Sequence, residues 1–182
     1  IYRLSKNTTE QDYSGKETVM PSFFNHSTNI AASYVEWNAL YGKWNFRPGM
    51  RYEFSRLRGS YPKGNGNPYS CNLNDFVPSV NILYKLNDEN SIQYNYAMSI
   101  NRPGINYLNP AVVVQPESKS YGNTKLKSSR SSQMALTWTK ITSKTTNQMI
   151  LAYGFTDNFL TNVDFMTDNI RTTTYANALH VR

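Results

Sequence analysis

The sequence predicts an all-β protein: an antiparallel up-and-down meander of about seven strands that forms part of a large transmembrane β-barrel. Three observations carry that expectation. Segments of about ten residues alternate apolar and polar side chains with a period of two, as strands with two unlike faces do. The connections between them alternate short and long, at 42–43, 59–74, 86–90, 101–129 and 142–146. Tight turns on one side and extended loops on the other are the habit of a membrane barrel, whereas a soluble sandwich has no reason to gather its long loops at one end. Finally, no apolar run approaches the length of about 18 residues that a membrane-spanning helix needs, a requirement that barrel strands do not share.

Composition agrees with β-structure at a boundary. Hydrophobic residues make up 39% of the 182 positions, yet aromatics reach 14%, with 14 Tyr, 8 Phe and 3 Trp. The net charge of +7 invites a nucleic-acid reading, but the densest basic group, Lys119, Lys125, Lys127 and Arg130, sits in what reads as a loop, without a basic helix or an aromatic-basic module. It reads as a solvated loop, with attraction to an anionic membrane surface as the alternative; no nucleic-acid partner is expected. Cys71 is the single cysteine, so neither a disulfide framework nor a thiolate metal site is available, and a free thiol in a loop is expected. The sequence begins at Ile1 with neither leader nor initiator Met and reaches Arg182 within a strand pattern. Residues 1–182 are therefore expected to be one partial β-barrel domain of a longer polypeptide, with 1–27 irregular or loop.

Along the chain, Ser14-Gly15-Lys16 lacks the spaced glycine and following hydroxyl of a phosphate-binding loop and reads as a turn. The first strand is expected over Asn29–Tyr41, with Ala31, Ser33, Val35, Trp37, Ala39 and Tyr41 on one face. Gly42-Lys43 turns the chain into Trp44–Phe54, where Trp44, Phe46, Pro48, Met50, Tyr52 and Phe54 oppose Asn45, Arg47, Gly49, Arg51 and Glu53. Pro48 removes a ladder donor, which predicts a bulge or locally frayed pairing. Gly59–Asn74, with Pro62, Gly64, Gly66 and Pro68, reads as a long polar loop. Phe76–Lys85 and Ser91–Ile100 follow as strands around the Asn87-Asp88-Glu89-Asn90 turn; the second alternates without a slip through Ile92, Tyr94, Tyr96, Met98 and Ile100. After the connection 101–129 come strands over Ser131–Ile141, Asn147 to about Phe165, and Ile170–Arg182, the last two joined at Thr167-Asp168-Asn169.

Between Phe76 and Ser131 the order Pro78-Ser79, Tyr84, Leu86, Ser91, Tyr96, Ser99, Arg102-Pro103, Leu108-Asn109-Pro110, Gly122-Asn123 and Leu126-Lys127 resembles the barrel region of TonB-dependent receptor-like outer-membrane proteins of the Bacteroidota type. Thr124 and Ser128-Ser129 stand where such proteins often carry a proline and a Pro-Glu, which puts the detailed shape of the loop in question. The resemblance implies a middle-to-late piece of a barrel, without plug, TonB box or final strand, in the bacterial outer membrane. It further implies a receptor for uptake of a nutrient such as a metal chelate, vitamin or glycan. The implied partners are the lipid bilayer, the remaining strands and plug of the same polypeptide, TonB acting through that plug, and a surface lipoprotein.

Candidate site residues follow from the faces. Arg47, Arg51 and Glu53 on the polar face either line a lumen and steer anionic ligands or are solvated charges paired across strands. Trp37, Trp44 and Trp138 are candidate membrane-interface aromatics, with sugar stacking as the alternative. Arg102, Pro103, Asn109 and Pro110 form the loop segment most distinctive of the resemblance, expected to record loop conformation. His26 and His180 lack partners at metal or triad spacing and read as structural or solvated. Asp157, Asp164 and Asp168 read as strand-end or turn acids, calcium in the outer loops being the sharper alternative. No nucleophile stands beside a base; neither an enzyme nor a cofactor is expected. The competing functional readings are a soluble all-β glycan-binding or adhesin module and a small closed barrel holding an apolar ligand.

Overall fold

The computed structural model describes residues 2–5, 23–63, 68–167 and 169–181. In chain order it contains β1 (Tyr2–Ser5), β2 (Phe23–Glu36), β3 (Ala39–Tyr41), β4 (Trp44–Lys63), β5 (Tyr69–Lys85), β6 (Asn90–Asn101), α1 (Ile105–Leu108), β7 (Val113–Gln115), β8 (Ser118–Ser120), β9 (Ser129–Ile141), β10 (Thr146–Thr167) and β11 (Ile170–Val181). These strands form one sheet in the order β1-β2-β4-β5-β6-β9-β10-β11-β8-β7, with β3 beside β4. The long strands pair antiparallel with their sequence neighbours, so the expected meander forms, and among the described residues the sheet does not close on itself.

Tight turns behave as their residues require. Gly42 takes φ +55° at the first central position of the hairpin closed by Tyr41 and Trp44, a conformation that glycine enters without a Cβ clash. The side chain of Asn87 accepts from the backbone N–H groups of Glu89 and Asn90 at 3.0 and 2.7 Å, the local bonding that favours Asn in turns. Opposite Pro48 the ladder frays rather than bulges. Glu36↔Gly49 and Ala39↔Phe46 keep one register across the break, and the Trp37 N–H still donates to the Pro48 carbonyl at 3.0 Å. What is missing is the bond that proline cannot donate.

The expected strand limits need correction in three places. Residues 2–5 pair with 28–31, and β2 begins at Phe23, so part of the stretch 1–27 read as irregular is strand; Ser14-Gly15-Lys16 lies outside the described residues. The polar loop assigned to 59–74 is mostly an extended hairpin, β4 running on to Lys63 and β5 starting at Tyr69. Cys71 is a free thiol, but it stands buried in β5 rather than in a loop.

The reason for the second correction is a change of phase. In β4 the apolar side chains occupy even positions from Trp44 to Phe54 and then odd positions, Leu57 and Tyr61; in β5 they occupy odd positions at Tyr69, Cys71 and Leu73 and even ones from Phe76 to Tyr84. The strand is continuous, while the face that needs apolar side chains switches. Lower down the even face is exposed: Met50, Tyr52, Phe54 and Phe76 retain 37–47% of their surface. Higher up the odd face is covered by the connection 102–128 and buries Leu57, Tyr69, Cys71 and Leu73 with Leu108 and Leu126. That cluster is the main buried core.

Candidate functional site

The two faces of the sheet differ in chemistry row by row. One row runs Tyr41, Trp44, Tyr84, Ile92, Trp138, Met149 across six strands at the end of the tight turns. The next runs Ala39, Phe46, Ile82, Tyr94, Leu136, Leu151. Trp44 lies 4.4 Å from Tyr84 and 5.5 Å from Phe46 between ring centroids. Trp44 and Trp138 therefore share the end row; Trp37 does not, standing beside Pro48 two rows further on. From Trp44 to Phe54 the band spans ten residue steps, about 33 Å along a strand and about 25 Å in height at a tilt near 40°, the height of the apolar belt of an outer-membrane barrel.

The opposite face carries small and polar side chains. Arg47, Asn81, Asn95, Ala135 and Ala152 form one row, and Gly49, Ser79, Ala97, Gln133 and Gly154 the next. Asn81 donates to Asn95 across the strands. Arg47 is exposed and 3.8 Å from Glu36. Glu53 is buried at 6% exposure, held between Arg51 on its own strand and Arg102 from the connection. Of the three sequence candidates on this face, Arg51 and Glu53 are brought together and Arg47 is paired elsewhere.

Directly opposite Glu53 lies Asp75, only 2% exposed. It accepts a 2.7 Å bond from the Ser128 hydroxyl and has Arg130 at 3.6 Å. The two carboxylates thus grip the two ends of the connection, Arg102 at its start and Ser128 at its finish. Burial together with the neighbouring Arg51 charge lowers the pKa of the Arg102 guanidinium, which is the electrostatic cost of bringing two cations to one buried acid. Sequence reading named Glu53 but not its partner Arg102 in that role, and it missed Asp75, because both contacts join residues some fifty positions apart.

Between those anchors the connection is built by its own polar groups. Pro103 and Leu108 are fully buried. The Asn109 side chain accepts from the Ala111 N–H at 3.0 Å and from the Tyr61 hydroxyl, while its carbonyl accepts from the Gly122 N–H at 2.7 Å. Gly122 is pressed against backbone: a Cβ there would lie 2.5–2.7 Å from Asn109 and Tyr107 backbone atoms. Asn123 donates to the Tyr175 carbonyl at 2.9 Å, Asn177 exchanges bonds of 2.9 and 3.0 Å with Lys127, and Tyr107 meets Tyr175 edge-on at 4.7 Å. The hairpin β7–β8 pairs parallel with β11 at Arg171–Thr173. Pro110 is half-buried at the end of the turn. The connection therefore lies across the polar face and ties β4–β5 to β10–β11.

Residues 2–181 match the profile of the outer membrane protein beta-barrel family. The chain belongs to that family. Its place is the outer membrane, and its strands are barrel strands. Solved structures with the same fold include the siderophore receptor PirA from Pseudomonas aeruginosa, at 12% identity and TM-score 0.54, covering 87% of this chain and 38% of that one. A second is the ferric enterobactin receptor PfeA of the same organism, a Q482A mutant in complex with enterobactin, at 12% identity and TM-score 0.55, covering 86% and 32%. The chain spans about a third of the length of these receptors. No curated protein sequence matches it.

The remaining candidates are placed as follows. His26 shares a 2.8 Å bond with Thr28 Oγ1, and burial lowers its pKa. The side chain of His180 and all of Asp168 lie outside the described residues. Asp164 accepts from Arg171 and Thr173 at 2.7 and 2.5 Å, and Asp157 stands opposite Arg130 in the β9–β10 ladder. Among the basic group, Lys125 and Lys127 are exposed, Lys119 is half-buried in β8, and Arg130 is engaged with Asp75.

Proposed function

We propose that this chain is a middle-to-late part of the barrel of a TonB-dependent outer-membrane receptor that takes up a nutrient. The observation that carries the reading is the inversion of the sheet: its aromatic and aliphatic face is open, while Glu53, Asp75 and Ser55 are buried on the other. A protein dissolved in water buries the first kind of face; a barrel turns it to lipid and keeps the polar face for its lumen. Arg47, Arg51 and Glu53 then face the lumen, and Trp44 and Trp138 belong to the interfacial aromatic ring, with Trp37 deeper in the band. The connection 102–128 sits at the outer mouth, where it narrows the passage and helps select what enters. The named likenesses to siderophore receptors support a ferric chelate as the first ligand class to try; they are receptors rather than enzymes. In the whole protein, a plug coupled to TonB supplies the work of transport, and a surface lipoprotein is a candidate partner at the mouth. The Bacteroidota affiliation rests on the sequence resemblance.

Two measurements test this. Single-Trp versions of the full-length protein at Trp44 and Trp138, reconstituted in bilayers with lipid-attached quenchers, should be strongly quenched; blue-shifted, unquenched emission would remove the lipid-facing assignment. Cells carrying the intact receptor should accumulate a labelled ligand from a panel of ferric chelates, vitamins and glycans only while the energising inner-membrane complex is present. Equal accumulation without that complex would reduce the protein to a passive pore.

A further inference from the structure

Just beyond the apolar band, the lipid-facing side of β4 changes abruptly from aromatic to basic. Phe54 is followed on that face by Arg56 and Arg58, both exposed. Two residues advance a strand by about 6.6 Å, or about 5 Å in height at barrel tilt, so the guanidinium groups stand one and two steps above the last ring. The interfacial aromatic level is where headgroups begin. Arg56 and Arg58 therefore lie at the depth of lipid phosphates, on the side turned away from the lumen.

Their surroundings suit an anion. Arg56 has Asn29 and Asn72 as cross-strand neighbours, and Arg58 has Ser27 and Ser70. A groove of about 600 Å³ runs between them, lined on this side by Asn25, Ser27, Arg56, Arg58, Ser60 and Ser70. It offers hydroxyl and amide donors beside two guanidinium forks. Among the described residues no carboxylate pairs with Arg56 or Arg58, although the other barrel-side arginines, Arg47, Arg51, Arg102, Arg130 and Arg171, each have one within 4 Å. Two adjacent cations with no carboxylate within 4 Å among the described residues and with neutral cross-strand neighbours repel one another, and a bound anion relieves that repulsion. Guanidinium matches phosphate oxygens in a bidentate manner.

We infer that Arg56 and Arg58 form a binding site for the phosphate of an outer-leaflet lipid headgroup, with the acyl chains lying along the Tyr52, Phe54 and Phe76 surface below. The inference goes beyond transport. It rests on the outward orientation of the even face, and it assigns to that face a specific lipid contact rather than a merely apolar one.

The test uses the full-length receptor, delipidated in detergent and titrated with phosphatidic acid as the phosphomonoester probe, the bound lipid being counted by native mass spectrometry. The double variant Arg56→Ala/Arg58→Ala should bind this lipid about tenfold more weakly or worse, the scale set by two basic residues at a charged lipid surface. Arg56→Lys/Arg58→Lys should recover part of the loss, and phosphatidylcholine binding should be unchanged in all forms. Both positions are exposed, so neither substitution disturbs packing. Undiminished phosphatidic acid binding by the double alanine variant overturns the inference. So does displacement of the lipid by inorganic phosphate at comparable concentration, which would mark a site for a free anion. Lipid quenching of Trp44 and Trp138 in the same preparations separates the two claims: if quenching is present and the lipid affinity is unmoved, only the headgroup site fails, whereas absent quenching removes the membrane orientation on which it rests.

Discussion

Glu53 shows how one residue can hold a distant segment. Its carboxylate is almost fully buried and takes Arg51 and Arg102 together. Replacing it by Gln keeps the shape but leaves Arg102 in a site that already disfavours charge. Removal of one partner from a buried pair costs about 3 kcal/mol, and that loss should fall on the docking of the connection. Cys71 is a native reporter of it, since its thiol is buried 4.0 Å from the Leu126 carbonyl. If docking weakens by that amount, the population of open connection rises by about two orders of magnitude, and alkylation of Cys71 in the full-length protein should quicken accordingly. Glu53→Asp should fall between wild type and Glu53→Gln. An unchanged rate would show that the Arg102 contact does not hold the connection.

The same thiol gives a pH dependence. Cys71 stands beyond the apolar band, where its outward neighbours are Ser70 and Asn72, and burial raises its pKa above the ordinary 9.0. Tyr69 beside it is raised as well, again chiefly by burial. A raised pKa means that the folded form holds its proton more tightly than the undocked one. The stabilisation is therefore complete below pH 9.0, the ordinary value of the thiol, and is lost as pH climbs through the folded value. Protection of the connection from protease should be flat through neutral pH and decline in the alkaline range. In Cys71→Ala the decline should begin later, near the ordinary tyrosine value of 10.0.

At the scale of elements, the connection 102–128 is a folded part rather than a slack loop, and Gly122 is its tightest point. The clash that a Cβ would meet there is with backbone of Asn109 and Tyr107, which no side-chain rotation relieves. Gly122→Ala should loosen the contacts of Leu108 and Leu126 with β4 and β5, raising Cys71 alkylation while leaving the insertion of β9 and β10 in the bilayer unchanged. Native-like protection of Cys71 in that variant would mean the crossing is looser than it stands. Much of this was legible in sequence only as resemblance: Arg102-Pro103, Asn109-Pro110 and Gly122-Asn123 marked the segment without saying what each residue touches. The strands themselves were legible wherever one face stayed apolar throughout, as from Ile92 to Ile100. They were hidden where the buried face changed sides. Leu57 and Tyr61, or Tyr69, Cys71 and Leu73, break the alternation begun by their neighbours, and with Pro62, Gly64, Gly66 and Pro68 between them the hairpin reads as a loop. No local pattern could have revealed the phase change, because its cause is a segment that returns to this place from fifty residues away.

At the scale of the whole molecule, a single sheet divides water from lipid, and the charges obey that division. Across β4, β5, β6, β9 and β10 the open face is free of ionisable Lys, Arg, Asp and Glu through the rows from Trp44 to Met50; charges reappear on it only towards and past the ends, at Arg130 and Asp157, which stand opposite one another beside Ile100, at Lys140, and at Arg56 and Arg58. Met50 lies in the middle rows of this band, between Val35 and Pro78, and keeps 44% of its surface. In a water-soluble module, Met50→Arg at so open a position would change stability by less than about 0.5 kcal/mol. In a bilayer the same guanidinium near the midplane costs about 2–4 kcal/mol, falling to about 0–1 near the interface. Met149 supplies the second point, being exposed beside Trp138 in the end row. Denaturant unfolding of the full-length protein from bilayers should therefore show a large loss for Met50→Arg and a small one for Met149→Arg. Equal and negligible losses would place both residues in water and remove the membrane assignment of this face; only a depth-dependent difference fits a sheet whose exposed side is solvated by lipid.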